Sequence, residues 1–177
     1  NWNYRDTAAD CYPFFAWAAF VVDKEVLNGS VRDALHREMA LCNTVMRIPV
    51  PWDFDKGAPS ANLEWEEMVF QASEYVKDGL IAIVEVTGYD EWFDRMRAIE
   101  DDLWATARVV TPFGNIPSEN IEINGEQLQA LARLYTMTGD EKYLDYGDRL
   151  VDYYFSQPDF VPTRLRDHGC EIIGGLG

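Results

Sequence analysis

Leu80-Ile81-Ala82-Ile83-Val84-Glu85-Val86-Thr87-Gly88-Tyr89-Asp90-Glu91-Trp92-Phe93-Asp94 aligns without a gap on Leu131-Ala132-Arg133-Leu134-Tyr135-Thr136-Met137-Thr138-Gly139-Asp140-Glu141-Lys142-Tyr143-Leu144-Asp145, at a constant offset of 51 residues. In each copy an apolar helical stretch runs into Thr-Gly, and an acidic residue follows. Glycine adopts the left-handed conformation that ends a helix, and the acidic residue can start the next one. Each copy therefore reads as a helical hairpin. Repetition of the unit implies an array of hairpins in which one helix faces inward and its partner faces solvent.

Working outward, the apolar residues Trp92, Phe93, Met96, Ile99 and Leu103 mark one face of a helix, as do Tyr143, Leu144, Gly147, Leu150, Val151 and Tyr154. Val31, Leu35, Met39 and Cys42 form a third such stripe. Residues 12–22 and 79–86 are apolar on more than one side, which suits helices buried all round. Period-two alternation is almost absent, so the fold class is all-α. Six helices are expected near 7–26, 30–46, 62–86, 90–106, 125–138 and 140–155, with a seventh starting near 166.

Composition narrows the function classes. The 177 residues are 47% hydrophobic and 14% aromatic, enough to build a core, and disorder is excluded. With 31 acidic against 15 basic side chains the net charge is -16 and the pI about 4.3, which repels nucleic acid. The longest strongly apolar stretch, residues 14–22, is about half the roughly 20 residues that a membrane-spanning helix needs, so no membrane partner is expected. Cys11, Cys42 and Cys170 are too few and too scattered for a disulfide scaffold. The chain opens on Asn1 without Met, as a processed or trimmed product would, and stops just after an apparent new unit begins. A single domain spanning 1–177, incomplete at its C-terminus, is the expectation.

Turns inside the hairpins are about three residues long, but the connections near 47–61, 107–124 and 156–165 are much longer, and loops of that length are usually functional. Each leads into the first helix of a hairpin, so all lie at one end of the array. The segment from Leu131 to Leu144, opened by Asn124-Gly125-Glu126-Gln127, resembles the six-hairpin glycosidase superfamily, which includes unsaturated glucuronyl hydrolases, arabinofuranosidases and the N-acylglucosamine 2-epimerase group. The resemblance covers about two-thirds of the chain and rests chiefly on residues 62–155. It implies an (α/α)6 toroid, of which three hairpins and the start of a fourth would be roughly half, and an oligosaccharide or polysaccharide bound in the funnel at the N-terminal ends of the inner helices. Free N–H groups and positive dipole ends at such a place favour carboxylates independently of the resemblance.

Glycosidic cleavage needs one carboxyl group as acid and another as base or nucleophile. Asp6 and Asp10 stand at i and i+4 and would project from one helix face, although Asp6 also suits an N-cap. Asn124 and Gln127 fit a capping box, leaving Glu126 as the residue without a structural duty. In residues 164–171, His168 can shuttle a proton near neutral pH, Arg164 or Arg166 can clamp a substrate carboxylate, and Asp167 and Glu171 add carboxyl groups. The same residues also suit a loop salt-bridge network. Trp52, Phe113 and Asn115 on the long loops, with Arg5, Gln127, Arg164 and Arg166, are the candidate substrate-binding residues, since exposed rings stack on sugar faces.

Other chemistry finds little support. His168, Cys170 and Glu171 lack the second ligand pair of a zinc site. Asp53, Asp55 and Glu64 have the spacing of a calcium loop, but Ala58 stands where its sharp turn needs Gly. No GxSxG, P-loop or GxGxxG segment is present, and no cofactor or metal is expected. The leading expectation is a secreted or periplasmic glycoside hydrolase using Glu126 with Asp6 or Asp10. A uronate lyase or sugar epimerase using His168 and an arginine, and a non-enzymatic helical scaffold for a protein partner, are the alternatives.

Overall fold

The computed structural model describes Ala18, Val21, Gly29, Asp33 and residues 52–53, 55–56, 58–59, 64–88, 90–158 and 167–177. The helices expected at 7–26 and 30–46 lie outside the described residues, apart from those first four positions, each of which is helical. The chain divides into two compact units, Asn1–Asp102 and Leu103–Gly177.

In the first unit, β1 (Trp52–Asp53) pairs antiparallel with β2 (Ala58–Pro59). Helix α1 (Trp65–Glu74) starts with Glu66 and Glu67 in its first turn, where the helix dipole favours negative charge. It continues through a π-helical turn (Tyr75–Leu80) into α2 (Ile81–Thr87), and the Ile81 N–H reaches five residues back to the Val76 carbonyl. Asp78 and Gly79, both poor helix formers, sit within that turn. Gly88 closes α2 at φ 66°, its N–H donating to Val84 O at 2.9 Å. Helix α3 (Asp90–Ala105) buries the stripe Trp92, Met96, Ile99 and Leu103, while Phe93 is only half-buried beneath the Arg97 guanidinium. The unit boundary falls inside α3, so its last turn belongs to the second unit.

There, β3 (Val109–Thr111) and β4 (Gly114–Ile116) form an antiparallel hairpin around Pro112 and Phe113. Gly114 takes φ 118°, which L-residues rarely adopt. Helix α4 (Ile121–Thr138) follows, and Gly139 ends it at φ 68° as Gly88 ends α2. Helix α5 (Lys142–Phe155) turns back along it, its first turn closed by Asp140 Oδ1 accepting from Lys142 N at 3.1 Å. A 3-10 turn (Asp167–Cys170) then leads into the short helix α6 (Glu171–Leu176).

The helical reading of the chain holds, with corrections. The two hairpins occupy stretches expected to be loops; strands of two or three residues are too short to show alternation. Helix α4 begins at Ile121 rather than near 125, because Asn120 is its cap: Asn120 Oδ1 accepts from Glu122 N at 2.9 Å. Asn124 and Gln127 are therefore interior residues, and the capping box assigned to them does not form. The expected difference between inward and solvent-facing helices is clear in burial. Residues 71–76 and 123–128 are buried without interruption, whereas α3 and α5 bury only stripes. Leu144, counted in the α5 stripe, is 42% exposed.

Helices α4 and α6 cross at near backbone contact. A Cβ on Gly125 would lie 2.3 Å from Ile172 N and 2.4 Å from Glu171 C, and one on Gly175 would lie 2.5 Å from Gly125 O. Such distances are closer than real Cβ contacts, and the atoms met are backbone, which cannot swing aside. Gly147 on α5 differs, because its Cβ would meet only Leu128 Cδ2 at 3.8 Å.

Gly125→Ala is accordingly expected to destabilise the protein by at least about 2 kcal/mol through overpacking. Gly147→Ala should instead be neutral or stabilise by up to about 1 kcal/mol, from its higher helix propensity. Denaturant unfolding of the two variants tests the crossing, and equal stabilities would refute it.

Candidate functional site

The first turns of α4 concentrate polar groups that water does not reach. Asn124, Glu126 and Gln127 are each 0% exposed, and Ser118, just before the helix, is also buried. Ser118 Oγ accepts from Asn120 N at 3.0 Å, and Ser118 O accepts from Asn124 Nδ2 at 2.7 Å. Asn124 Nδ2 also donates to Tyr154 Oη of α5 at 2.8 Å, and that hydroxyl donates to Glu119 O at 3.2 Å. Among the described residues Asn124 Oδ1 meets no donor. Burial, above all, holds the Tyr154 phenol well above its ordinary value; the hydrogen bond from Asn124 opposes this, while Tyr153 and Glu119 add to it.

On another side of α4, Trp104 Nε1 donates to Gln127 Oε1 at 2.9 Å. The Trp104 ring stacks on Tyr146 of α5 with centroids 4.5 Å apart and planes within 4°. The Arg149 guanidinium lies over that same Tyr146 ring, 5.1 Å from its centroid, and pairs with the Asp145 carboxylate. The ring stack contributes about 0.5–1.5 kcal/mol beyond its burial, and the cation over the ring about 0.5–1 kcal/mol.

Consecutive residues of one helical turn thus face different neighbours. Asn124 meets α5, Gly125 meets α6 and Gln127 meets Trp104. At about 100° per residue, Glu126 projects about 200° from Asn124, on the side of α4 away from α5. Its carboxyl group is wholly buried and engaged there.

The other sequence-derived candidates divide three ways. Glu171 is brought to α4, its Oε2 accepting from Gln129 Nε2 at 2.7 Å. Asp167 and His168 stand on the adjoining 3-10 turn, and Trp52 stands on β1. Phe113 is 38% exposed at the tip of the β3–β4 hairpin, which lies just before α4. Asn115 is exposed on β4, and its Nδ2 donates to Ala107 O at 3.1 Å, which braces the hairpin. Arg5, Asp6, Asp10, Arg164 and Arg166 lie outside the described residues.

Ser118, Trp104, Tyr146 and Arg149 were not singled out in the sequence, and Tyr154 was read there only as part of the α5 stripe. The Trp104–Gln127 and Asn124–Tyr154 pairs are separated by 23 and 30 positions, and no local pattern signals them. Among the described residues no group of three or more His, Cys, Asp or Glu side chains could hold a metal ion, and no helix is long and apolar enough to cross a membrane.

Tyr154→Phe leaves Asn124 Nδ2 and Glu119 O short of a partner and is expected to cost about 1–2 kcal/mol at neutral pH. Because the folded state binds the phenolic proton more tightly, the stability this contributes is complete below the ordinary value of 10.0 and is lost as pH rises past it. The gap between parent and variant should therefore narrow above about pH 10. A gap independent of pH in alkaline unfolding titrations would contradict it.

No protein-family model, no curated protein and no solved structure matches the chain.

Proposed function

We propose that this chain is part of a carbohydrate-active enzyme that cleaves a glycosidic bond in an oligosaccharide or polysaccharide, built on a helical toroid, with Glu126 as one catalytic carboxyl group and Asp6 or Asp10 as the other. The observation that carries the reading is the setting of Glu126. It is a wholly buried carboxyl group, projected from the side of α4 away from its hairpin partner, between residues whose side chains are fixed by α5 and Trp104. In an array of hairpins that side is the inward one.

Glycosidic cleavage by two carboxyl groups asks for such a setting. The acid must carry its proton to the leaving oxygen, and shielding from water is the means by which proteins keep one carboxyl of a pair protonated. The second group takes a proton from water or attacks the anomeric carbon directly. Rigid support matters as much, since a misplaced proton donor loses most of its effect. Gly125 and the crossing with α6 supply that support from below.

A second reading, a helical scaffold for a protein partner, is favoured by one surface feature. Leu128, Ala132, Leu144, Val151 and Gly175 line an open apolar groove of about 160 Å³ along the α4–α5 hairpin.

The deciding experiment assays the parent on 4-nitrophenyl glycosides of common hexoses, pentoses and uronic acids and on the matching polysaccharides. Glu126→Gln is nearly isosteric and should preserve the helical circular dichroism while lowering kcat by about 10²–10⁴-fold, the usual contribution of a proton-transfer group. Near-parental turnover would remove Glu126 from the reaction. A parent inactive across the panel would overturn the hydrolase reading and leave the scaffold.

A further inference from the structure

Ile116 roots the β3–β4 hairpin in the core, and a column of side chains links its outer edge to the buried turn of α4. At its outer end, Arg149 Nη1 reaches Asn115 O at 3.5 Å, and its Cδ and Nε lie 3.0 Å from where a Cβ on Gly114 would be. A side chain at that position would crowd the arginine. Below it the guanidinium covers Tyr146, Tyr146 stacks on Trp104, and the Trp104 indole N–H holds Gln127 Oε1. Gln127 is next to Glu126. Two of the hairpin's other polar contacts stay within it or its approach: the Thr111 hydroxyl closes its own turn, and Asn115 returns to Ala107 ahead of β3.

We propose that Arg149, seated on Tyr146 and Trp104, is a positioning residue that fixes the Phe113-bearing hairpin relative to the Glu126 turn, so that the hairpin binds sugar units beyond the scissile bond. The inference rests on the glycoside hydrolase reading and extends it to substrate length. Phe113 offers an exposed ring at the hairpin tip for a sugar face. A planar guanidinium suits the supporting role because it stacks on a ring and forks toward a carboxylate and a carbonyl at once, which an ammonium cannot do.

The test compares parent, Arg149→Leu and Arg149→Lys in two measurements: amide exchange of residues 109–116, and kinetics on a 4-nitrophenyl monoglycoside and on an oligosaccharide of the same sugar. Arg149→Leu is expected to speed hairpin exchange by about tenfold, as loss of local anchoring does. It should raise KM for the oligosaccharide by about fivefold while leaving kcat, and both constants for the monoglycoside, within about twofold. Arg149→Lys should fall between, and it carries the test alone if the leucine variant does not fold. Parental KM on the oligosaccharide, with or without faster exchange, overturns the positioning role while the hydrolase reading stands. A parent that cleaves neither substrate overturns both, a result distinguishable because it appears before any substitution at Arg149.

Discussion

Over residues 123–128 helix α4 has no solvent side, and the second unit is arranged to satisfy that condition. A helix buried all round must find a different partner for each residue of a turn. Here the partners are another helix's backbone for Gly125, a phenol for Asn124 and an indole for Gln127. Only glycine at 125 admits the backbone of Glu171 and Ile172. The first N–H groups of the helix, before the buried run begins, are served by Asn120, itself held by Ser118. Polar residues in such a place are stable only when their hydrogen bonds are nearly complete, so Asn124 and Gln127 draw Tyr154 and Trp104 into fixed positions.

Legibility in the sequence followed the range of the interaction. Thr87-Gly88 and Thr138-Gly139 could be read because a left-handed glycine ends a helix by local sterics alone. The stripe on α3 could be read because four of its five residues answer to one face. The start of α4 could not. Asn120 and Asn124 are the same residue one helical turn apart, each followed by an acidic residue at its second position, and only burial tells which of them caps. The β3–β4 hairpin has a retrievable signal in Val109-Val110-Thr111 before Pro112 and Gly114, β-branched residues meeting turn formers, although three-residue strands leave little room for a pattern.

The candidate site shows the same division. Sequence reasoning isolates Glu126 as the residue left over once Asn124 and Gln127 are assigned to a cap. In the structure neither caps, and Glu126 stands out instead for its side of the helix. Gly125, read locally, is merely a poor helix former, costing about 1 kcal/mol against alanine. Its reason lies some 50 residues away, in α6. Arg149 is likewise an ordinary exposed-face residue in the helical pattern of α5, with an acidic partner one turn earlier. Its contacts with Gly114 and Asn115 join distant parts of the chain and leave no local mark.

The π-helical turn between α1 and α2 changes how the two hairpins correspond. A turn of that kind accommodates one extra residue, advancing everything before it by about 100°. An ungapped offset of 51 is therefore correct below the turn and wrong above it, where the structural offset becomes 52. Burial follows the shifted correspondence: the uninterrupted runs 71–76 and 123–128 are 52 apart. Under it, Ser73, small and buried, takes the place of Gly125, and Glu74, also buried, takes the place of Glu126. Descent from a common hairpin would thus have passed through a single-codon insertion that left a buried acidic position filled in both copies. An alignment that admits no gap conceals that pair.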